Sequence, residues 1–210
     1  MHTVTGPNRL AAAVLAVALV ATAAGCSGNR PSAEKCQTVS APLTDIPTRT
    51  DQEPKLRIPV PEGWERADKM DSEQIRFAIR SPKLTAEGFI PNAVVTLQKV
   101  PGDIGKPDLI LQAQTDQLAK KLNLTDVEST KTKVCGAPAL SSTYTTPEIR
   151  LGKQIPPVPA RKAASVGVVY RAGDANYVAT LTLQTVKADN EAYRADSEEI
   201  LKGFQILPPK

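Results

Sequence analysis

Histidine is nearly missing from this chain of 210 residues, which carries one, His2. Without imidazole beyond that position, Ser-His and Cys-His triads lack their general base, and zinc sites built on His lack their ligands. Aromatic residues make up 4% of the sequence, too few to tile a sugar-binding surface with rings. Charge of one sign is also scarce. The net charge of +4 is mild, and a nucleic-acid-binding domain would show a much stronger basic bias, so no nucleic-acid partner is expected. There is no Gly-rich phosphate loop, no Asp-rich loop of EF-hand spacing and no Gly-x-Ser-x-Gly elbow. No metal and no cofactor is expected.

Long apolar runs are absent except at residues 10–24, which follow Arg9 and end in small residues just before Cys26. That run is short of the about 20 residues a membrane-spanning helix needs, and its flanks are those of a secretory signal. The stretch Ala23-Ala24-Gly25-Cys26 resembles the lipobox of bacterial lipoproteins, whose cysteine receives a diacylglyceryl thioether and acyl chains such as palmitate. Ala23 stands where that motif usually has Leu, so ordinary signal-peptidase cleavage near residues 22–24 is the alternative. The expectation is a signal peptide over residues 1–25, lipidation at Cys26, and anchoring to the extracytoplasmic face of the cell membrane.

Cysteine is sparse too. Setting Cys26 aside leaves Cys36 and Cys135, an even pair in an oxidising compartment, for which a disulfide is the natural reading and two separate thiols the alternative. A bridge would close a loop of about 100 residues and stabilise by up to about 4 to 5 kcal/mol in the chain-entropy model.

Residues 26–54 shift to Pro, Ser, Thr and charge, with prolines at 31, 42, 47 and 54, and read as a lipidated cysteine followed by a linker. Residues 55–210 then suit one domain with one core. Residues 75–80 alternate apolar side chains with Arg76 and Arg80, and residues 92–100 place Val95 and Leu97 opposite Thr96 and Gln98, so both predict half-buried strands. Two further runs, residues 163–170 and 177–184, flank a turn at 172–175 and predict a hairpin. Residues 127–135 and 139–145 predict two more strands, separated by Gly136-Ala137-Pro138. A helix is expected from Pro107-Asp108 with Leu111, Thr115, Leu118 and Leu122 on its buried face, and another after Asp189-Asn190 with Tyr193, Ile200 and Phe204 towards the core. The fold class is α+β, a largely antiparallel sheet with helices packed on it.

Local chemistry is thin. Ser32-Ala33-Glu34-Lys35 has Ser-x-x-Lys spacing but lies in the linker, and Glu198-Glu199 reads as a solvated helix face. Trp64 reads as a core plug more readily than as a stacking platform. Residues 147–159 stand apart: Ile149, Leu151, Ile155 and Val158 lie among four prolines, with Arg150, Lys153 and Arg161 nearby. A long connection of this kind is a candidate binding loop, and the strand face around Arg76 and Arg80 is the next surface for an anionic head group or acidic partner.

The lipobox, the Pro/Thr linker, "RIPVPEGW" at residues 57–64 and "PNAVVTLQKVPGDI" at residues 91–104 together resemble the LpqN/LpqT family of mycobacterial lipoproteins and the related secreted proline-rich antigen. The resemblance implies a PsbP-like sandwich and residence in a lipid-rich envelope, and it transfers no enzymatic residue. The expected function is therefore a non-enzymatic binding or accessory lipoprotein in envelope assembly or transport, holding a partner protein or an amphiphilic lipid or glycolipid. The competing class is a hydrolase whose carboxylates or Ser/Lys pair only the fold brings together.

Overall fold

A computed structural model describes residues 2, 31–101, 105–150, 152, 154, 156–172 and 175–209. The strands are β1 (Leu43–Ile46), β2 (Lys55–Pro59), β3 (Glu65–Arg66), β4 (Ile75–Arg80), β5 (Asn92–Pro101), β6 (Thr125–Val134), β7 (Ala137–Thr146), β8 (Arg161–Ala172), β9 (Ala175–Thr185) and β10 (Gln205–Leu207). Helix α1 (Pro107–Leu122) lies between β5 and β6, and α2 (Glu191–Gly203) between β9 and β10.

Seven strands form one antiparallel sheet in the order β3-β4-β5-β9-β8-β7-β6, and β1-β2-β10 form a smaller one. Period-two alternation decides which side of the large sheet each residue serves. Phe77, Ile79, Val95, Val168, Ala179, Leu181 and Leu183 join one core with Ile58 and Ile206 of the small sheet and Tyr193, Ile200 and Phe204 at α2. Leu140, Val169 and Val178 point to the opposite side and form a second cluster with Ile110 and Leu111 of α1. The molecule is an α+β sandwich with a helix against each side of the large sheet, as the sequence and the resemblance imply.

Both expected helix starts are found. Pro107 sits in the first turn of α1, and the Asn190 side chain accepts from the Tyr193 N–H at 3.0 Å to cap α2. The expected face of α1 is only partly buried: Ile110 and Leu111 are covered, while Leu118 and Leu122 each remain 38% exposed. Leu111 can dock because β8 carries Gly167 beneath it; a Cβ there would lie 3.0 Å from the Leu111 side chain. Further along the same side of the sheet the strands present Ser142, Tyr144, Thr180 and Thr182 in register, which give the later leucines little apolar surface to cover.

Order begins well before residue 55. Residues 33–35 form a 3-10 turn and β1 pairs with β2. The main-chain N–H groups of Ser40 and Ala41 donate to the Glu199 carboxylate at 3.2 and 2.9 Å. The segment that composition reads as a linker is, from Pro31 on, an arm laid along the domain.

Candidate binding cleft

Cys135 and Gly136 make the two-residue turn between β6 and β7, both with positive φ, +49° and +85°. That is the geometry a tight hairpin demands. Ala137 and Pro138, expected in the turn, already belong to β7. Cys135 is bonded to Cys36, and the Ser32 N–H donates to the Cys135 carbonyl at 3.2 Å, so the arm is fastened to this turn twice. Lys35 crosses directly above it: a Cβ on Gly136 would stand 2.5 Å from Lys35 Cδ.

Between this turn and α2 lies a cleft of about 570 Å³. Val134, Val166, Leu201, Phe204 and Cys135 give it apolar walls, and Lys35, Lys133 and Lys202 add three ammonium groups. Leu201 and Lys202 continue into a shallower hollow of about 680 Å³ on the outer side of α2. Lys202 is ion-paired with Glu198, whose carboxyl is held below its usual range by that lysine. Lys35 and Lys133 have no ion pair among the described residues. Apolar walls under unpaired ammonium groups suit an anionic amphiphile, whose tail and head would each find a matching surface.

The residues singled out in the sequence fall in different places. Cys26, Leu151 and Ile155 lie outside the described residues. Ile149 and Val158 face each other through two backbone hydrogen bonds of 2.9 Å, and both side chains are half-buried. Their loop leaves β7 at Thr146, five residues from Ser141 at the near edge of the cleft, a separation of roughly 17 Å at about 3.4 Å per residue. The cleft and the candidate loop are therefore two separate surfaces. Trp64 is 6% exposed in the core and donates its indole N–H to Asp196 at 2.8 Å.

Arg76 is not the open cation its strand pattern suggests. The arm between β1 and β2 brings Glu53 onto it, and the two side chains are only 9% and 7% exposed. Burial pushes the Glu53 carboxyl up, but the hydrogen bonds and charges of Arg76 and Arg49 outweigh it and hold the group below its usual value. Arg80, paired with Glu65, stays at the surface. Nor is Glu199 merely solvated, since it serves the arm's N–H groups. The three cleft lysines could not be grouped from sequence, because they come from segments about 100 and 70 residues apart that only the disulfide and the packing of α2 unite.

Among solved structures, LpqN of Mycobacterium tuberculosis, described as involved in cell envelope biogenesis, aligns with 20% identity over 80% of this chain and 91% of its own, with a TM-score of 0.59. The Ran-binding protein Mog1p of Saccharomyces cerevisiae aligns at 13% identity over 80% of this chain and 97% of its own, with a TM-score of 0.46. No curated protein matches the sequence. The family model of the probable lipoprotein LpqN matches residues 42–207, from just before β1 to the end of β10, and the chain thus belongs to the LpqN family.

Proposed function

We propose that this protein is a non-enzymatic envelope lipoprotein, anchored through lipidated Cys26 at the extracytoplasmic face of the membrane, that holds an anionic amphiphile in the cleft beside α2 during envelope assembly or transport. One observation carries the reading: the rim of the cleft is built by the arm that leads to Cys26, through Lys35 and Gln37. Only residues 27–31 separate the anchor from Ser32, where the first hydrogen bond among the described residues of that arm is made, a reach of at most about 22 Å. The cleft would therefore work beside the lipid surface. The biogenesis role ascribed to LpqN of M. tuberculosis supports placing it in envelope assembly.

Among the described residues, the groups that the hydrolase alternative would draw on have other partners or lie in one turn. Glu198 is bound to Lys202, Glu199 to the arm, and Ser32 and Lys35 lie on a single 3-10 turn whose main chain is tied to Cys135.

Calorimetry with dodecanoate and dodecyl maltoside tests the proposal. Dodecanoate should bind, and Lys35→Gln with Lys133→Gln should weaken it by about tenfold, or about 1.4 kcal/mol. Dodecyl maltoside should bind more weakly and be indifferent to the substitutions. Equal binding of both amphiphiles, unchanged by the double substitution, would overturn the role of the lysines, and no binding of either would overturn the cleft.

A further inference from the structure

At the opposite end of β7 from the cleft, another cation lacks a counter-ion. Among the described residues, Arg57, Arg66, Arg76, Arg80 and Arg150 each pair with a carboxylate, and Arg49, Arg171 and Arg194, which do not, are exposed to solvent. Arg161, the first residue of β8, is held by neutral oxygens instead. Its Nε donates to Gln184 Oε1 and its Nη1 to the Pro159 carbonyl at 3.4 Å, while the guanidinium carbon stands 5.6 Å from the centroid of the Phe89 ring. No carboxylate among the described residues reaches it, although the side chain is half-buried. A desolvated guanidinium normally recruits an anion, because neutral acceptors fix its plane without offsetting its charge.

The surroundings are arranged for an oxyanion. Because Gln184 Oε1 accepts from Arg161, its Nε2 is left as a donor, and it donates to no other described residue. On the neighbouring strand, burial raises the pKa of the Tyr144 hydroxyl and the Arg161 charge offsets part of that rise. Phe89, Ile149 and Val158 are half-buried, and the Ile149–Val158 bridge leads straight into Pro159, whose carbonyl orients the guanidinium. A planar guanidinium whose edge is not taken by a carboxylate matches a carboxylate or phosphate group bidentately.

We infer that Arg161 and Gln184 form a second binding site, independent of the α2 cleft, for an oxyanion of the carboxylate or phosphate class. The site deepens the sequence reading of residues 147–159: that loop leads into β8, whose first residue, Arg161, would hold the charge.

The test follows side-chain Nε–Hε signals of arginine and the backbone amide of Lys133 by NMR in the mature chain, with inorganic phosphate, acetate and dodecanoate as probes. The Arg161 signal should shift to saturation. Arg161→Gln should abolish the shift of Gln184 Nε2, and Arg161→Lys, which keeps the charge and loses the fork, should weaken binding by about tenfold. Dodecanoate binding well ahead of acetate and phosphate would identify the head of an amphiphile, and equal binding of all three a free anion. No shift at Arg161 or Gln184 with any probe, in a protein whose Lys133 amide still responds to dodecanoate, would overturn this site and leave the cleft standing. The reverse pattern would do the opposite.

Discussion

Glu53 and Arg76 illustrate how a single buried contact can be worth more than several surface ones. With side chains 7% and 9% exposed, removing one partner strands the other, which typically costs about 3 to 5 kcal/mol. Glu53→Gln should therefore lower the urea midpoint strongly, whereas replacing both residues by Leu should recover much of the loss. The pH dependence has a definite sign. Glu53 titrates lower in the fold than its ordinary value near 4.5, so the unfolded chain binds more protons at acid pH. Its contribution is complete above that ordinary value and is lost as pH falls through the depressed folded pKa. Urea melts between neutrality and about pH 3 should show an acid limb, reduced in Glu53→Gln; an identical limb in both would assign it to other carboxylates. Gly136 is a second residue with a local reason for its identity. Ala there meets both the positive φ and Lys35 Cδ, and should cost about 1 to 2 kcal/mol in a thermal melt.

At the scale of elements, the arm before β1 and the loop after β7 are expected to behave differently. The Cys36–Cys135 bond spans 99 residues of sequence, so Cys36→Ser with Cys135→Ser should reduce stability by up to about 4 to 5 kcal/mol. Since the arm forms one rim of the cleft, the same variant should weaken dodecanoate binding even under conditions where it remains folded; intact binding would show that the rim is dispensable. In the loop, Ile149→Ser with Val158→Ser leaves the backbone bridge in place and removes only half-buried side chains, so the melting temperature should move little, on the order of 1 kcal/mol in stability. A much larger fall would mean that these residues are core packing. Helix α1 shows why periodicity misleads at this scale. Leu118 and Leu122 share a face with Leu111 by spacing, yet how deeply a helical face is buried depends on what lies opposite, and here the sheet turns from Val169 and Leu140 to Thr182 and Ser142.

At the scale of the whole molecule, the anchor proposal predicts that Cys26→Ala leaves the exported protein soluble after a carbonate wash; persistent membrane association would remove the lipid tether and the proximity of the cleft to the bilayer with it. Much of the architecture was legible in the residues themselves. The alternation of Val95, Leu97, Leu181 and Leu183 assigns one side of the large sheet, Asn190 marks the start of α2, and Cys36 and Cys135 are an even pair once Cys26 is set aside. These features are local, or depend on counting, and so survive without knowledge of the fold. What only tertiary structure decided is which distant residues become neighbours: Glu53 over Arg76, Glu199 under the arm, Lys35 beside Lys133 and Lys202, and Gln184 against Arg161 without a carboxylate. The charge of each of these groups can be read from the chain. Whether that charge is paired, buried or open depends on strand register and on where the arm docks, which the sum of many weak long-range contacts determines.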